Sequence, residues 1–297
     1  MKQLFRVFMA LFAMFVFLDV RAEDYITTNA DKALADKLMA QMHSALRKSG
    51  GTLSTADLMV MAAQGLYGTP YVAGTLDEDP IREVPRLYLT KTDCIIFVET
   101  CLALAKAVQD ADVDAPQFPA YALKVLGMRY RTKPPYSYGD RIHYTTEWIR
   151  RQKASLKDVT LDLGGEVYDH PIHFMTSNSS SYKQLADPDN VPRAALALRK
   201  IAEAEAQLAK EPMTYIPSDK VAEAASQIRS GDIICFTSSE EGLDISHVAI
   251  AFVEEGRVGF IHASQAEGKV VKDRRTIAEY VARPGSKISG IKVVRPL

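Results

Sequence analysis

The sequence predicts an α+β fold, with helices in the first half of the chain and an antiparallel sheet in the second. Two observations predict it. Apolar residues recur at helical spacing over 33–46 and again over 97–108. After Ser230-Gly231 the period shortens, and strand-like runs follow one another with turn-rich links between them. Helices followed by consecutive strands, rather than alternating with them, point away from a parallel sheet.

The first helix is expected from Asp24 to about Lys48, where Ala33, Leu34, Leu38, Met39, Met42 and Leu46 share a face and Ser49-Gly50-Gly51 ends it. A second runs from Thr55, placed as its N-cap, to about Gln64. Residues 65–90 are loop-rich, with Gly68-Thr69-Pro70-Tyr71-Val72-Ala73-Gly74 and the acidic turn Asp77-Glu78-Asp79-Pro80. The clearest helix is Asp93 to Val108, where Phe97, Cys101, Leu104, Ala105 and Val108 form one apolar stripe. Asp93 is its natural N-cap, which puts Cys94 in the first turn. Residues 115–150 mix Pro, Tyr and Arg, 181–190 read as polar loop, and Ala194 to Lys210 as a charged amphipathic scaffold helix. Strands are expected at 232–236, 247–252, 257–263 and 288–294.

Composition narrows the function. The 297 residues carry 36 Lys+Arg against 37 Asp+Glu, a formal net charge of −1, and 47% are apolar. A chain so apolar and weakly charged is not disordered throughout. It also lacks the basic surplus of a general nucleic-acid binder. No internal repeat or linker divides it, so 23–297 reads as one domain. Met1 to Ala22 reads as a signal peptide: Lys2 and Arg6 precede twelve apolar residues, Val7 to Leu18, and Val20-Arg21-Ala22 offers a cleavage site. Twelve apolar residues fall short of the roughly 20 a membrane span needs, and no later stretch comes closer, so no transmembrane anchor is expected once the signal is removed.

Three cysteines exclude a disulfide scaffold. On one helix Cys94 and Cys101 would lie about 10 Å apart along the axis, beyond the roughly 7 Å Cα separation a disulfide tolerates. Cys235 sits in the apolar run Ile233-Ile234-Cys235-Phe236 and reads as a buried hydrophobe. Cys94 differs, because a helix N-terminus favours a thiolate. Its partners for chemistry would be His247, opening one strand in Ser246-His247-Val248-Ala249-Ile250, and His262, ending the next in Phe260-Ile261-His262-Ala263-Ser264. A nucleophilic thiol needs a base, and the base needs an orienter. The same Cys and two His could hold zinc, but the zinc-binding Cys-x-x-Cys and His-Glu-x-x-His spacings are missing, and His170-x-x-His173 lies beside Pro171 in a poorly helical stretch.

Asp93-Cys94, the strand after Gly231-Asp232, Ser246-His247-Val248-Ala249-Ile250 and Ile261-His262-Ala263-Ser264 together resemble the NlpC-type superfamily of papain-like cell-wall cysteine peptidases and amidases. Gly68 to Gly74 resembles that family's Pro-Tyr segment, which assigns Tyr71 to the active site. Asp93 to Thr100, Arg129-Tyr130-Arg131 and Asp140 to Trp148 are similar to one branch of it, formerly of unknown function, that contains N-acetylmuramoyl-L-alanine amidases. The resemblance implies a papain-like core carried by 68–108 and 231–264, with a substrate-recognition insertion over about 115–215. It implies an exported, periplasmic hydrolase of muropeptides that uses Cys94, His247 and His262 and requires neither metal nor organic cofactor. Aromatic faces suit sugars and guanidinium groups suit carboxylates. Arg129, Arg131, Arg141, His143, Tyr144 and Trp148 are therefore the candidate substrate contacts.

Overall fold

The computed structural model describes residues 25–79 and 82–297. The segment 1–22, expected to be a signal peptide, lies outside them. The helices are α1 (Asn29–Lys48), α2 (Thr55–Gly65), α3 (Cys94–Gln109), α4 (Phe118–Arg129), α5 (Thr145–Arg151), α6 (Phe174–Ser177), α7 (Val191–Leu208), α8 (Val221–Ala224) and α9 (Ile277–Val281). The strands are β1 (Leu156–Asp158), β2 (Glu166–Tyr168), β3 (Met213–Pro217), β4 (Ile233–Ser238), β5 (Ile245–Glu254), β6 (Arg257–Ser264), β7 (Lys269–Lys272) and β8 (Ile288–Pro296).

The α+β expectation holds, with every strand pairing antiparallel in the order β2-β3-β8-β4-β5-β6-β7 and β1 on the side of β8. Strands β4 to β7 form a meander, but β8 does not extend it. It enters the middle of the sheet, between β3 and β4. Both faces are covered, which explains why β4 reads as an unbroken apolar run. Ile233 and Cys235 pack toward α1–α4, and Ile234 and Phe236 join Val221, Ala224, Ile277 and Val281 of α8 and α9 on the other face. None of the three cysteines is in a disulfide. Among the described residues no helix is long and apolar enough to cross a membrane.

Helix starts follow side-chain caps. Thr28 and Asp31 form a capping box, so α1 begins at Asn29 rather than Asp24. Ser54, not Thr55, caps α2, while the Thr55 hydroxyl binds the Gln109 side chain and the Leu297 carbonyl. Asp31 also positions the site. Buried in α1, its Oδ1 accepts the backbone N–H groups of Leu89 and Thr90 and the Thr90 hydroxyl, each at 2.8 Å. Burial alone would raise its pKa, but the bonds from Thr28, Leu89 and Thr90 hold it below the ordinary carboxylate value. An ionised carboxylate thus clamps the segment that leads into Asp93 and Cys94.

Candidate active site

Cys94 is the first residue of α3, behind Asp93, whose Oδ1 accepts the Ile96 N–H at 2.9 Å. The helix packs against β5 and β6, and the backbone of Val248, the residue after His247, lowers the cost of ionising the Cys94 thiol. Burial and then the Asp93 carboxylate push this thiol up to about 12. The expectation of a thiolate held by the helix terminus is therefore corrected. An exposed helix end contributes roughly 0.3–1 kcal/mol, less than the ~1.4 kcal/mol of one pKa unit, and burial outweighs it.

The two histidines meet across β5 and β6. Ile250 stands opposite Ile261, so His247 and His262 fall on one face as diagonal neighbours. His247 Nε2 and His262 Nδ1 share a hydrogen bond of 2.7 Å, with ring centroids 4.9 Å apart in an edge-on arrangement. Phe236 stacks on His247 at 5.6 Å, Phe260 meets His262 edge-on at 4.9 Å, and Tyr280 of α9 lies about 6 Å from each imidazole. Burial, then the His262 and Arg283 charges, bring His247 down to about 3. Burial brings His262 to about 4, against an upward pull from Asp273. Both rings are neutral at neutral pH. His247 Nε2 is committed to His262, which leaves Nδ1 as its other ring nitrogen.

Tyr71 is fixed by its backbone between two segments: its N–H donates to Gly268 O at 2.8 Å, and Val72 N–H donates to Thr92 O at 2.8 Å. Burial, then Cys94 and Asp93, push its hydroxyl up to about 12. It therefore stays a hydrogen-bond donor beside the thiol. Gly68, at φ +81°, turns the chain into this segment and donates to Val270 O at 3.0 Å.

The segment 129–148 departs from expectation. Arg129 is 3% exposed, binds Glu99 through Nε at 2.9 Å and through Nη2, and donates to Arg86 O at 2.6 Å. Arg131 forks onto Glu147 and bonds the Gly139 and Arg141 carbonyls. The Tyr144 hydroxyl donates to Glu205 at 2.6 Å and accepts the Met175 N–H, and Trp148 is 3% exposed in the core. These four are committed to internal partners or buried. Arg141 is also buried. It pairs with Asp77 and Glu83 and stacks over Tyr138, and its charge acts on Asp93. His143 is half-buried, bonds Tyr138 O at 2.9 Å, and is held far below the ordinary imidazole value by burial and then Arg141. A cavity of about 630 Å³ adjoins this region, lined in part by Tyr136, Tyr138, Gln184 and Arg193, and one of about 900 Å³ lies between α5 and α7. Neither is lined by Cys94, His247 or His262. His170 and His173 take separate partners, Leu243 O and Ser177 Oγ.

Sequence reasoning missed Asp273. In the β6–β7 hairpin His262 stands opposite Val271, which makes Asp273 its diagonal neighbour. Asp273 Oδ2 lies 3.3 Å from His262 Nε2, in ion-pair range but out of line for a hydrogen bond, with the two side chains 6% and 2% exposed. The signal was present in the hairpin register, had β7 been recognised.

The chain matches the model of the AmiA-like family, described as N-acetylmuramoyl-L-alanine amidase-like, over residues 62–286. No curated protein matches it. It is similar to the crystal structure of an N-acetylmuramoyl-L-alanine amidase from Bacteroides uniformis, at 29% identity and TM-score 0.69, covering 82% of this chain and 98% of that one. A Bacteroides fragilis protein provisionally called a xylanase is 30% identical with TM-score 0.68, over 79% of this chain and 99% of that one. A Legionella pneumophila protein of the DUF1460 family shares the fold at 22% identity and TM-score 0.65, over 91% and 97%. With one family model spanning about three quarters of its length, this protein belongs to the N-acetylmuramoyl-L-alanine amidase-like family.

Proposed function

We propose that the protein is an exported, periplasmic cysteine amidase of the papain-like NlpC type. It cleaves the amide between the N-acetylmuramoyl group, in its anhydro form, and L-Ala of the stem peptide. The observation that carries this reading is the 2.7 Å His247–His262 bond on strands that α3, the helix opened by Cys94, packs against. Nucleophile, base and orienter stand in chain order on a helix end and two adjacent strands.

A thiol at about 12 and a histidine at about 3 form a neutral pair rather than a resting ion pair. His247 Nδ1 takes the sulfur-bound proton as Sγ attacks the carbonyl carbon. The oxyanion is stabilised by the Cys94 N–H and the Tyr71 hydroxyl. His247 returns the proton to the leaving amine nitrogen of L-Ala as the C–N bond breaks. Water activated by the same nitrogen then releases the acyl group. Of the segment 129–148, His143, half-buried where Arg129, Arg141, Tyr144 and Trp148 are buried, is the candidate for substrate contact. Export is supported by the basic and apolar pattern of residues 1–22.

A paired digest tests the reading. The protein and its Cys94→Ala variant are each incubated with a disaccharide anhydromuramyl tetrapeptide and the products weighed by mass spectrometry. Free disaccharide and intact tetrapeptide from the unsubstituted protein alone are expected. A disaccharide bearing a dipeptide means a γ-D-glutamyl endopeptidase instead, and no cleavage by either protein leaves a muropeptide-binding role.

A further inference from the structure

We propose that Asp273 is a positioning residue that sets the tautomers of both histidines, making the centre a four-residue chain, Cys94–His247–His262–Asp273. This rests on the reading of Cys94 as nucleophile. Two contacts define the chain: 2.7 Å from His247 Nε2 to His262 Nδ1, and 3.3 Å from His262 Nε2 to Asp273 Oδ2.

The tautomers follow by elimination. A neutral imidazole carries one N–H. An ionised carboxylate only accepts, so the His262 proton belongs on Nε2, facing Asp273. His262 Nδ1 is then an acceptor, and the 2.7 Å bond requires a proton on His247 Nε2. His247 Nδ1 is left with a lone pair, the form needed to take a proton from sulfur. The opposite order would put an N–H on His247 Nδ1 and leave the site without a base.

Asp273 is built to stay ionised. Although burial pulls upward, bonds from the Arg275 side chain and backbone hold it below the ordinary carboxylate value. Arg275 Nε and Nη2 fork onto its two oxygens at 2.9 and 2.8 Å, and the Arg275 N–H reaches Oδ1 at 2.8 Å. Its own N–H donates to Phe260 O at 3.0 Å, tying it to the strand of His262. The other charged or titratable groups around the pair are Cys94 of α3, Tyr280 of α9 and Arg283, whose guanidinium lies 3.9 Å from the Tyr280 ring centre. None of these is an anion that could replace Asp273. When His247 becomes an imidazolium during acylation, its Nε2–H still donates to His262. Neither His262 nor Asp273 gains or loses a proton.

The test combines nitrogen-15 NMR of the histidines with kinetics of Asp273→Asn. In the unsubstituted protein both His247 and His262 should carry their proton on Nε2. An Asn at 273 can turn its NH₂ toward His262 and reverse the chain, so both protons should move to Nδ1. The corresponding Asp-to-Asn change one bond closer to the base, in the serine-protease triad, costs ~10⁴-fold in kcat; at one ring's remove a loss of about 10²-fold is expected, with KM changed less than about twofold. A merely structural role would lower the melting temperature without moving the tautomers. If the variant fails to fold, the tautomers of the unsubstituted protein decide. An Nδ1–H on His262 there, or unchanged tautomers and kcat in a folded variant, overturns the proposal. Failure of the muropeptide digest with both Nε2–H tautomers present would instead overturn the amidase reading.

Discussion

Replacing Arg129 by Met should destabilise the protein strongly, and more at neutral than at mildly acid pH. Arg129 and Glu99 pair in the interior with side chains 4% and 5% exposed. The Arg129 Nε–Glu99 Oε2 bond is 2.9 Å, and Nη1 also satisfies Arg86 O. Removing one member of a buried pair costs about 3–5 kcal/mol. At roughly 2 °C per kcal/mol, the low end for domains somewhat smaller than this one, the melting temperature should fall by several degrees. Burial already raises Glu99 above the ordinary carboxyl value, while Arg129 pulls it down. Without Arg129 the folded state binds a proton at a still higher pH than the unfolded chain. Between that pH and the ordinary Glu value near 4.3, stability should recover on acidification by up to ~1.4 kcal/mol per pH unit. Urea unfolding at pH 7.5 and 5.5 measures this, alongside the double substitution Arg129→Met with Glu99→Leu, which should lose less than Arg129→Met alone. A loss under about 1 kcal/mol, or the same loss at both pH values, would refute the account of a charge stranded by burial.

Iodoacetamide labelling of Cys94 should accelerate up to pH 10 and beyond, since the thiol stands at about 12; saturation below pH 8 would mean a resting thiolate. Because His247 and His262 are held down to about 3 and 4, the base is neutral from about pH 5 upward. The acid limb of kcat/KM should then fall below pH 5, and a limb at 6–7 would contradict the burial assigned to them. Gly290→Ala, whose Cβ would lie 2.1 Å from Ile216 O where β3 pairs with β8, should cost at least about 2 kcal/mol by urea unfolding.

The legible parts of the fold were those with one dominant period. α3 and strands β4, β5, β6 and β8 each repeat an apolar pattern over most of their length, and Cys94, His247 and His262 sit at their ends. α4 escaped because Pro119 and Gly127 break its pattern, although the proline only occupies its first turn. β1, β2 and β7 have three or four residues each, too few to show alternation. The arginines of 129–141 looked like ligands because a sequence displays the cation but not the carboxylate that claims it. Glu99, Glu147 and Asp77 lie 30, 16 and 64 residues away from their partners, separations only tertiary folding closes. Asp273 was missed because β7, four residues long, shows no alternation that would set the hairpin register beside His262.

The position of β8 governs the order in which the molecule can be made. Residues 288–296 fill the gap between β3 and β4, and β1 also leans on them. Until they leave the ribosome, the meander carrying both histidines has an open edge at β4, β1 has no strand to join, and β3 has only β2. The helical layer of α1 to α4 is local in sequence and can form early, whereas pairing Leu156 with Pro296 must span 140 positions. A nascent chain halted before residue 288 therefore exposes unpaired strand edges of the kind that bind other chains. The sheet that holds the base closes only once the chain has been synthesised through β8.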